Sequence, residues 1–465
     1  MILLENCRIV TGQYDEPGAL IIEGEKIADI CLNIEEDASM RIQKAIDAGA
    51  ERVDLKGKMV MAGGIDLHVH FRDPGLTHKA DLVTESAAAV LGGVTSFVDM
   101  PNTRPATTTA EALKGKLDAA KGRSYANYGF HYGATNDNAE AIEALIAQTR
   151  ANENEYSGLT RHDFCGVKVF MGSSTGNMLV DRDSTLQRLF SIKGKPVLIH
   201  SEDEGTIREN LAKAKEKFGE NIPMSEHPNI RSRIACIKST IKALEMAMEL
   251  KTRLHVLHIS TREEADMVRA AKLQNAQISG ETSANYLWFC DEDYARLGSR
   301  CKCNPAIKAA TDRDYLAKAL ESGDIDTIGS DHAPHLKEEK TDAYLTAPSG
   351  LPSIQFQLRV LMTLAAEGKI SYTTIARAIS ERPAEIGGIP DRGFLKAGQY
   401  ADLVIADPEQ KCQVTAEEIA SKCGWSPYEG VELTGKVTQV YLNGQLAAED
   451  GKLVGEAHGQ QLWFD

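Results

Sequence analysis

Eight short apolar runs, each followed by a stretch of helical periodicity, leave this chain very few folds. The runs end near His70, Met100, Gly133, Phe170, His200, His258, Gly280 and Ser330. Between them lie segments such as LVTESAAAVLGG, NAEAIEALIAQTR and IKALEMAMEL, whose apolar residues recur at the spacing of one helix face. Runs such as VTSFVDM, KPVLIH and RLHVLHI are apolar almost throughout, as parallel strands covered on both faces should be. Eight strand-then-helix units predict an α/β fold, a parallel (β/α)8 barrel of the TIM type.

The texture changes at both ends. Residues 1–56 (ALIIEGEKIADI) and 391–465 (ADLVIAD, KVTQVYLNGQLAAEDGKLV) have the pattern of short strands with turns. Asn443-Gly444 and Asp450-Gly451 mark hairpins there. The expected organisation is a barrel over 57–390 and one small β-sandwich built from both termini. A length of 465 residues suits one large barrel plus a smaller module.

Composition narrows the partners. An apolar share of 42% and a charged share of 26% are those of a soluble globular protein. A net charge of −15 argues against nucleic acid or an anionic membrane surface. An anionic small substrate is still allowed, provided a local cationic pocket exists. No stretch approaches the roughly 20 apolar residues of a membrane span. The opening MILLENCRIVTGQYDEP has neither a basic segment nor a long apolar core, so a cytoplasmic chain without a secretory leader is expected. Nine scattered cysteines fit a reducing compartment. Cys301 and Cys303 lack the second pair that a metal knuckle needs.

Barrel enzymes carry their chemistry at the C-terminal ends of the strands. His68 and His70, two apart at the end of the first run, share a strand face. Two imidazoles so placed suit a zinc-type cation. Lys168 lies in the fourth run, while His200, His258 and Asp331 close the fifth, sixth and eighth. His131, ending the third, falls in the same layer but outside this set. His78, His162, His227, His255 and His458 are expected on the surface or in packing roles, with His255 facing away from the barrel centre if its strand is regular.

Lys168 has two readings. In GVKVF a free ammonium would be costly to bury. One solution is to snorkel or to pair with a carboxylate. The other is a depressed pKa, addition of carbon dioxide to the neutral amine, and a carbamate able to bridge two metals.

The segments DLHVHFRDPG, GGVTSFVDMPNTRP, GVKVF, VLIHSED, LHVLHIST, CNPAIK and GSDHAPH occur in that order. In them the chain resembles the amidohydrolase superfamily, and within it the dihydroorotases, over almost its whole length. The resemblance implies two Zn2+ or similar divalent ions held by His68, His70, Lys168, His200, His258 and Asp331, with Lys168 carboxylated as the bridge. It implies Arg72 and Asn102 as holders of the substrate's ring carboxylate. It further implies substrate contacts at Asn304, His335, Ser349 and Gly350, the last two through backbone. Arg offers a planar fork suited to a carboxylate. Relatives often carry arginine where Lys308 stands and histidine where Asn285 stands.

The implied activity is reversible hydrolysis of the cyclic amide of (S)-dihydroorotate to N-carbamoyl-L-aspartate, the pyrimidine-forming step. Asp331 would take a proton from the attacking water and deliver it to the leaving ring nitrogen. The resemblance allows a homodimer or an association with a transcarbamoylase. The competing readings are a dihydropyrimidinase, hydantoinase or allantoinase, and a non-catalytic structural homologue. Filled ligand positions argue against the last.

Overall fold

A computed structural model describes residues 1–148, 158–172 and 178–465. Its barrel strands are Gly64–Val69, Val94–Asp99, Asn127–Phe130 continued by Tyr132–Gly133, Val167–Phe170, Val197–His200, Leu254–Val256, Ser279–Thr282 and Thr327–Ile328. They coincide with the eight apolar runs. All pair in parallel, with Phe170 opposite His200 and Lys168 opposite Leu198. Val69 bridges His332, which joins the first strand to the eighth and closes the ring. Val167–Phe170 and Val197–His200 are buried at every position, because the barrel interior covers one face and the helices the other.

The helices start where local chemistry dictates. Asp81 caps Leu82–Leu91 and exchanges bonds with Thr84, and Thr261 does the same with Glu264 for Arg262–Lys272. IKALEMAMEL forms the later part of Arg233–Leu250. NAEAIEALIAQTR supplies Ala139–Ala147, and its last two residues lie outside the described residues.

The two ends of the chain share one nine-stranded sheet. Ile2–Val10 pairs with Asp15–Glu23, with Glu51–Asp54 and with Met59–Ala62, which in turn pairs with Leu403–Gln413 from the C-terminal part. That strand continues through Glu432–Leu442 and Gln445–Glu449 to Lys452–Leu453. Both expected hairpins form: Asn443 and Gly444 have φ of 50° and 78°, and Asp450 and Gly451 have 45° and 78°. Positive φ at both central residues is what a two-residue type I′ turn requires. The N-terminal part also holds a helix, Ala38–Asp47, where only strands and turns were expected. Ala38, Ile42, Ala45 and Ile46 pack it onto Leu3, Ala19 and Ile21, a narrow apolar stripe easily lost among polar neighbours. Among the described residues no helix is long and apolar enough to cross a membrane.

Candidate metal centre and substrate cavity

The strand ends turn sharply as they leave the barrel. Arg72, His258 and Asp331 have φ of 66°, 40° and 46°, the left-handed region that side chains with Cβ rarely adopt. Such turns are held in place only by surrounding structure and concentrate at functional sites. They bring the strand-end side chains around one cavity. His68, His70, Arg72, Lys168, His200, His258, Asn304, Asp331, Ser349 and Gly350 all line it. Asn102 and His335 stand directly behind, Asn102 bonded to His70 and His335 Nε2 3.1 Å from Arg72 Nη2.

Hydrogen bonds set which imidazole nitrogen faces the cavity. His68 Nδ1 donates to Glu281 Oε1 at 2.7 Å, and His70 Nδ1 donates to Asn102 Oδ1 at 2.7 Å. A carboxylate and an amide oxygen only accept, so each ring keeps a lone pair on Nε2. Those Nε2 atoms lie 3.3 and 3.1 Å from Asp331 Oδ1. The three donor atoms all fall within 4.8 Å of one another, an arrangement that could hold a metal ion.

A second pair faces them. His200 Nε2 donates to Glu202 Oε2 at 2.9 Å, and Glu202 is itself paired with Arg231. That leaves His200 Nδ1 open, 2.9 Å from His258 Nε2. Among the described residues His258 Nδ1 is buried without a hydrogen-bond partner, which leaves it free to carry the ring proton and Nε2 to present its lone pair. Two donors meet here, against three around Asp331.

Burial tunes the charges. It drives His68 and His258 well below the ordinary imidazole value and lowers His200 too, favouring the neutral rings that ligate metals. It brings the Lys168 ammonium down to about 7, against the opposing pull of Asp331 and Glu281. Burial alone would raise Asp331, but His68, His70 and Lys168 around it outweigh that and hold it below its usual value.

The remaining polar lining includes a cation. Arg72 is buried, its Nε donates to the Pro334 carbonyl at 3.0 Å, and burial lowers it to about 10. Lys79 donates to His335 Nδ1 at 3.0 Å, which makes Nε2 the protonated nitrogen. Nε2 then donates to the Ser349 carbonyl at 3.0 Å. Burial, then Arg72 and Lys79, keep His335 far below its ordinary value. Asn304 Oδ1 is buried and lacks a partner among the described residues.

Residues 59–447 match the amidohydrolase family. The chain belongs to that family. A dihydroorotase of Methanosarcina mazei is 30% identical to it over 93% of this chain and 91% of that protein. An allantoinase of Streptomyces avermitilis is 29% identical over 99% of this chain and 98% of that protein. Among solved structures, the L-hydantoinase (dihydropyrimidinase) from Arthrobacter aurescens superposes with a TM-score of 0.90 at 26% identity, covering 99% of both chains.

Within this amidohydrolase, several residues sit where sequence reasoning did not place them. His255 was expected to face away from the barrel centre. Instead its Nδ1 bonds Ser279 Oγ at 2.8 Å and its Nε2 lies 3.6 Å from Glu281. The regular strand stops at Val256 and His258 turns at positive φ, so counting faces back from His258 fails. His131 bonds the Leu67 carbonyl from within the core. Glu281 and Glu202 were missed entirely. Their signal was a lone carboxylate in an apolar run (ISGET) and one two residues beyond a strand-end histidine (IHSED). Lys308 donates to the Ala306 carbonyl, and Asn285 accepts from Tyr428; neither lines the cavity.

Proposed function

We propose that this amidohydrolase is a dihydroorotase, opening the cyclic amide of dihydroorotate to N-carbamoyl-L-aspartate and closing it in reverse. The observation that carries the reading is Arg72. It is a buried guanidinium on the cavity wall, donating to a carbonyl and bonded to no carboxylate among the described residues. A ring carboxylate is the group that such a fork would bind. Asn304, with its orphan amide oxygen, adds an acceptor for a ring N–H.

His68, His70 and Asp331 would hold one divalent metal, His200 and His258 a second, with Lys168, carboxylated, between them. Zinc is the proposed ion, on the evidence of imidazole and carboxylate donors. Bound metals would polarise the amide carbonyl and lower the pKa of the attacking water. Asp331, held as a carboxylate at the edge of this cluster, would accept the water's proton and return it to the ring nitrogen as the C–N bond breaks. Arg72 would fix the ring through its carboxylate, and the Ser349–Gly350 backbone would bond the ring's polar edge. Asn102 is assigned here to orienting His70, since its side-chain oxygen is engaged there.

The likeness to an allantoinase and an L-hydantoinase favours one second reading, an amidase for an uncharged ring. Side-by-side turnover of L-dihydroorotate, 5,6-dihydrouracil, hydantoin and allantoin tests the choice. Dihydroorotate is expected to lead by orders of magnitude, and comparable rates on an uncharged ring overturn the assignment. Two bound metals beside an unmodified Lys168, by intact mass or density, would refute the carbamate.

A further inference from the structure

Behind the Arg72 wall lie two more buried cations, Lys302 and Lys340. Among the described residues neither has a carboxylate within ion-pair distance, although the chain as a whole carries a net charge of −15. Their hydrogen bonds run to backbone instead. Lys340 Nζ donates to the carbonyls of Lys302, Pro348 and Gly350 at 3.2, 2.8 and 3.1 Å. Lys302 Nζ donates to those of Tyr344 and Ala347, both at 2.6 Å. The Gly350 N–H returns to the Lys302 carbonyl at 2.9 Å. Residues 344–350 are thereby tied to the segment that carries Asn304.

The same loop is pressed onto the other side of the cavity. Gly350 has φ of 144°, and a Cβ there would sit 2.4 Å from the Ala333 carbonyl oxygen. Its position beside Arg72 and His335 therefore has little slack. Burial pulls Lys340 down to about 7 and Lys302 to about 8, while the three carbonyls around Lys340 Nζ match the three N–H donors of an ammonium. A buried charge without a counter-charge costs several kcal/mol, and a neutral side chain could have filled the same space. What the charges add is positive potential in a region where low dielectric preserves it.

We propose that Lys302 and Lys340 are positioning residues that staple the Ser349–Gly350 loop and select a ring substrate bearing its own carboxylate. This rests on the dihydroorotase reading and deepens it: Arg72 binds the carboxylate directly, and the two lysines supply the uncompensated charge behind it. A neutral ring gains nothing from that field.

The test compares wild type, Lys302→Gln and Lys340→Met, with L-dihydroorotate and 5,6-dihydrouracil as probes and metal content as a control. Lys302→Gln keeps N–H donors for the Tyr344 and Ala347 carbonyls but removes the charge. It should raise KM for dihydroorotate roughly tenfold, with kcat changed less than threefold and dihydrouracil handled as before. Lys340→Met loses charge and bonds together, so its KM should rise further. If Lys340→Met fails to fold, Lys302→Gln still decides the matter. An unchanged preference between the rings in metal-loaded Lys302→Gln, or a loss in kcat alone, overturns the selection by charge while leaving the dihydroorotase reading intact. A wild-type enzyme that handles both rings alike overturns both.

Discussion

One wall of the cavity carries His68, His70, Lys168, His200, His258 and Asp331, all delivered by strands or strand ends. The other carries Arg72, Asn304, Ser349 and Gly350, delivered by loops and held by side chains farther back. The first wall is fixed by barrel topology: parallel pairing sets Phe170 beside His200, and closure sets Val69 beside His332. The second is fixed by particular donors, namely Lys79, Lys302 and Lys340 on loop carbonyls and His335. A wall built from strands suits chemistry common to a family, whereas a wall built from loops can change with substrate. The amidohydrolase relatives named for different rings fit that division.

The largest effect should come from the strand-built wall. Asp331→Ala removes both a proposed metal ligand and the proposed proton carrier, and kcat should fall by at least the 10²–10⁴-fold typical of a lost general base. The ring being opened should not matter to the size of that loss. Retention of more than a tenth of wild-type kcat would strip Asp331 of both roles.

Next comes the loop-built wall. Arg72→Met should cost roughly 2–5 kcal/mol in kcat/KM on dihydroorotate, the range for breaking a buried charge pair. Most of that penalty should vanish on dihydrouracil, which has no carboxylate to lose. A site made to bond a polar group rejects analogues lacking it strongly, so the ratio between rings is the sensitive quantity. Equal losses on both rings would mean that Arg72 supports the fold of the wall and not the substrate.

The same division governs how far the sequence could be read. The strand-end residues that line the cavity were legible because an apolar run announces a buried strand and barrel geometry then says which end matters. His68, His70, His200, His258 and Asp331 all followed from that. Glu281 and Glu202 did not, because a carboxylate acting through a histidine leaves no spacing pattern of its own. His255 was misplaced because face-counting assumes a regular strand, and this one ends at Val256. Lys302 and Lys340 were invisible for a different reason. Their partners are backbone carbonyls, and a carbonyl belongs to every residue. The N-terminal helix Ala38–Asp47 escaped because so few of its residues are buried.

A smaller effect separates ligands from the residues that orient them. Glu281→Ala leaves the proposed ligand set intact but frees the His68 ring and its tautomer. Metal affinity should weaken by about 10–100-fold, the usual result of losing such a partner. Excess metal in the assay should restore most of kcat. Failure of added metal to restore activity would place Glu281 in the chemistry itself. Affinity equal to wild type, measured by competition with a chelator, would make it a packing residue only.

The smallest effect lies behind both walls, and it asks where the site stops. The Tyr428 hydroxyl donates to Asn285 Oδ1 at 2.7 Å, with both residues buried. Asn285 also reaches the Ser330 carbonyl and Ser353 Oγ at 3.4 Å, one residue from Asp331. Tyr428→Phe deletes one donor and leaves a buried amide oxygen unpaired, which costs about 1–3 kcal/mol of stability. Because Asn285 keeps its bonds toward Ser330, Asp331 should stay in place and kcat/KM should change less than threefold on either ring. Denaturant unfolding and steady-state kinetics on the same preparation check the two halves together. A loss in kcat matching that of Asp331→Ala, at unchanged stability, would extend the strand-built wall through Asn285 to Tyr428. It would also mean that the asparagine standing where relatives often carry histidine sets the position of Asp331.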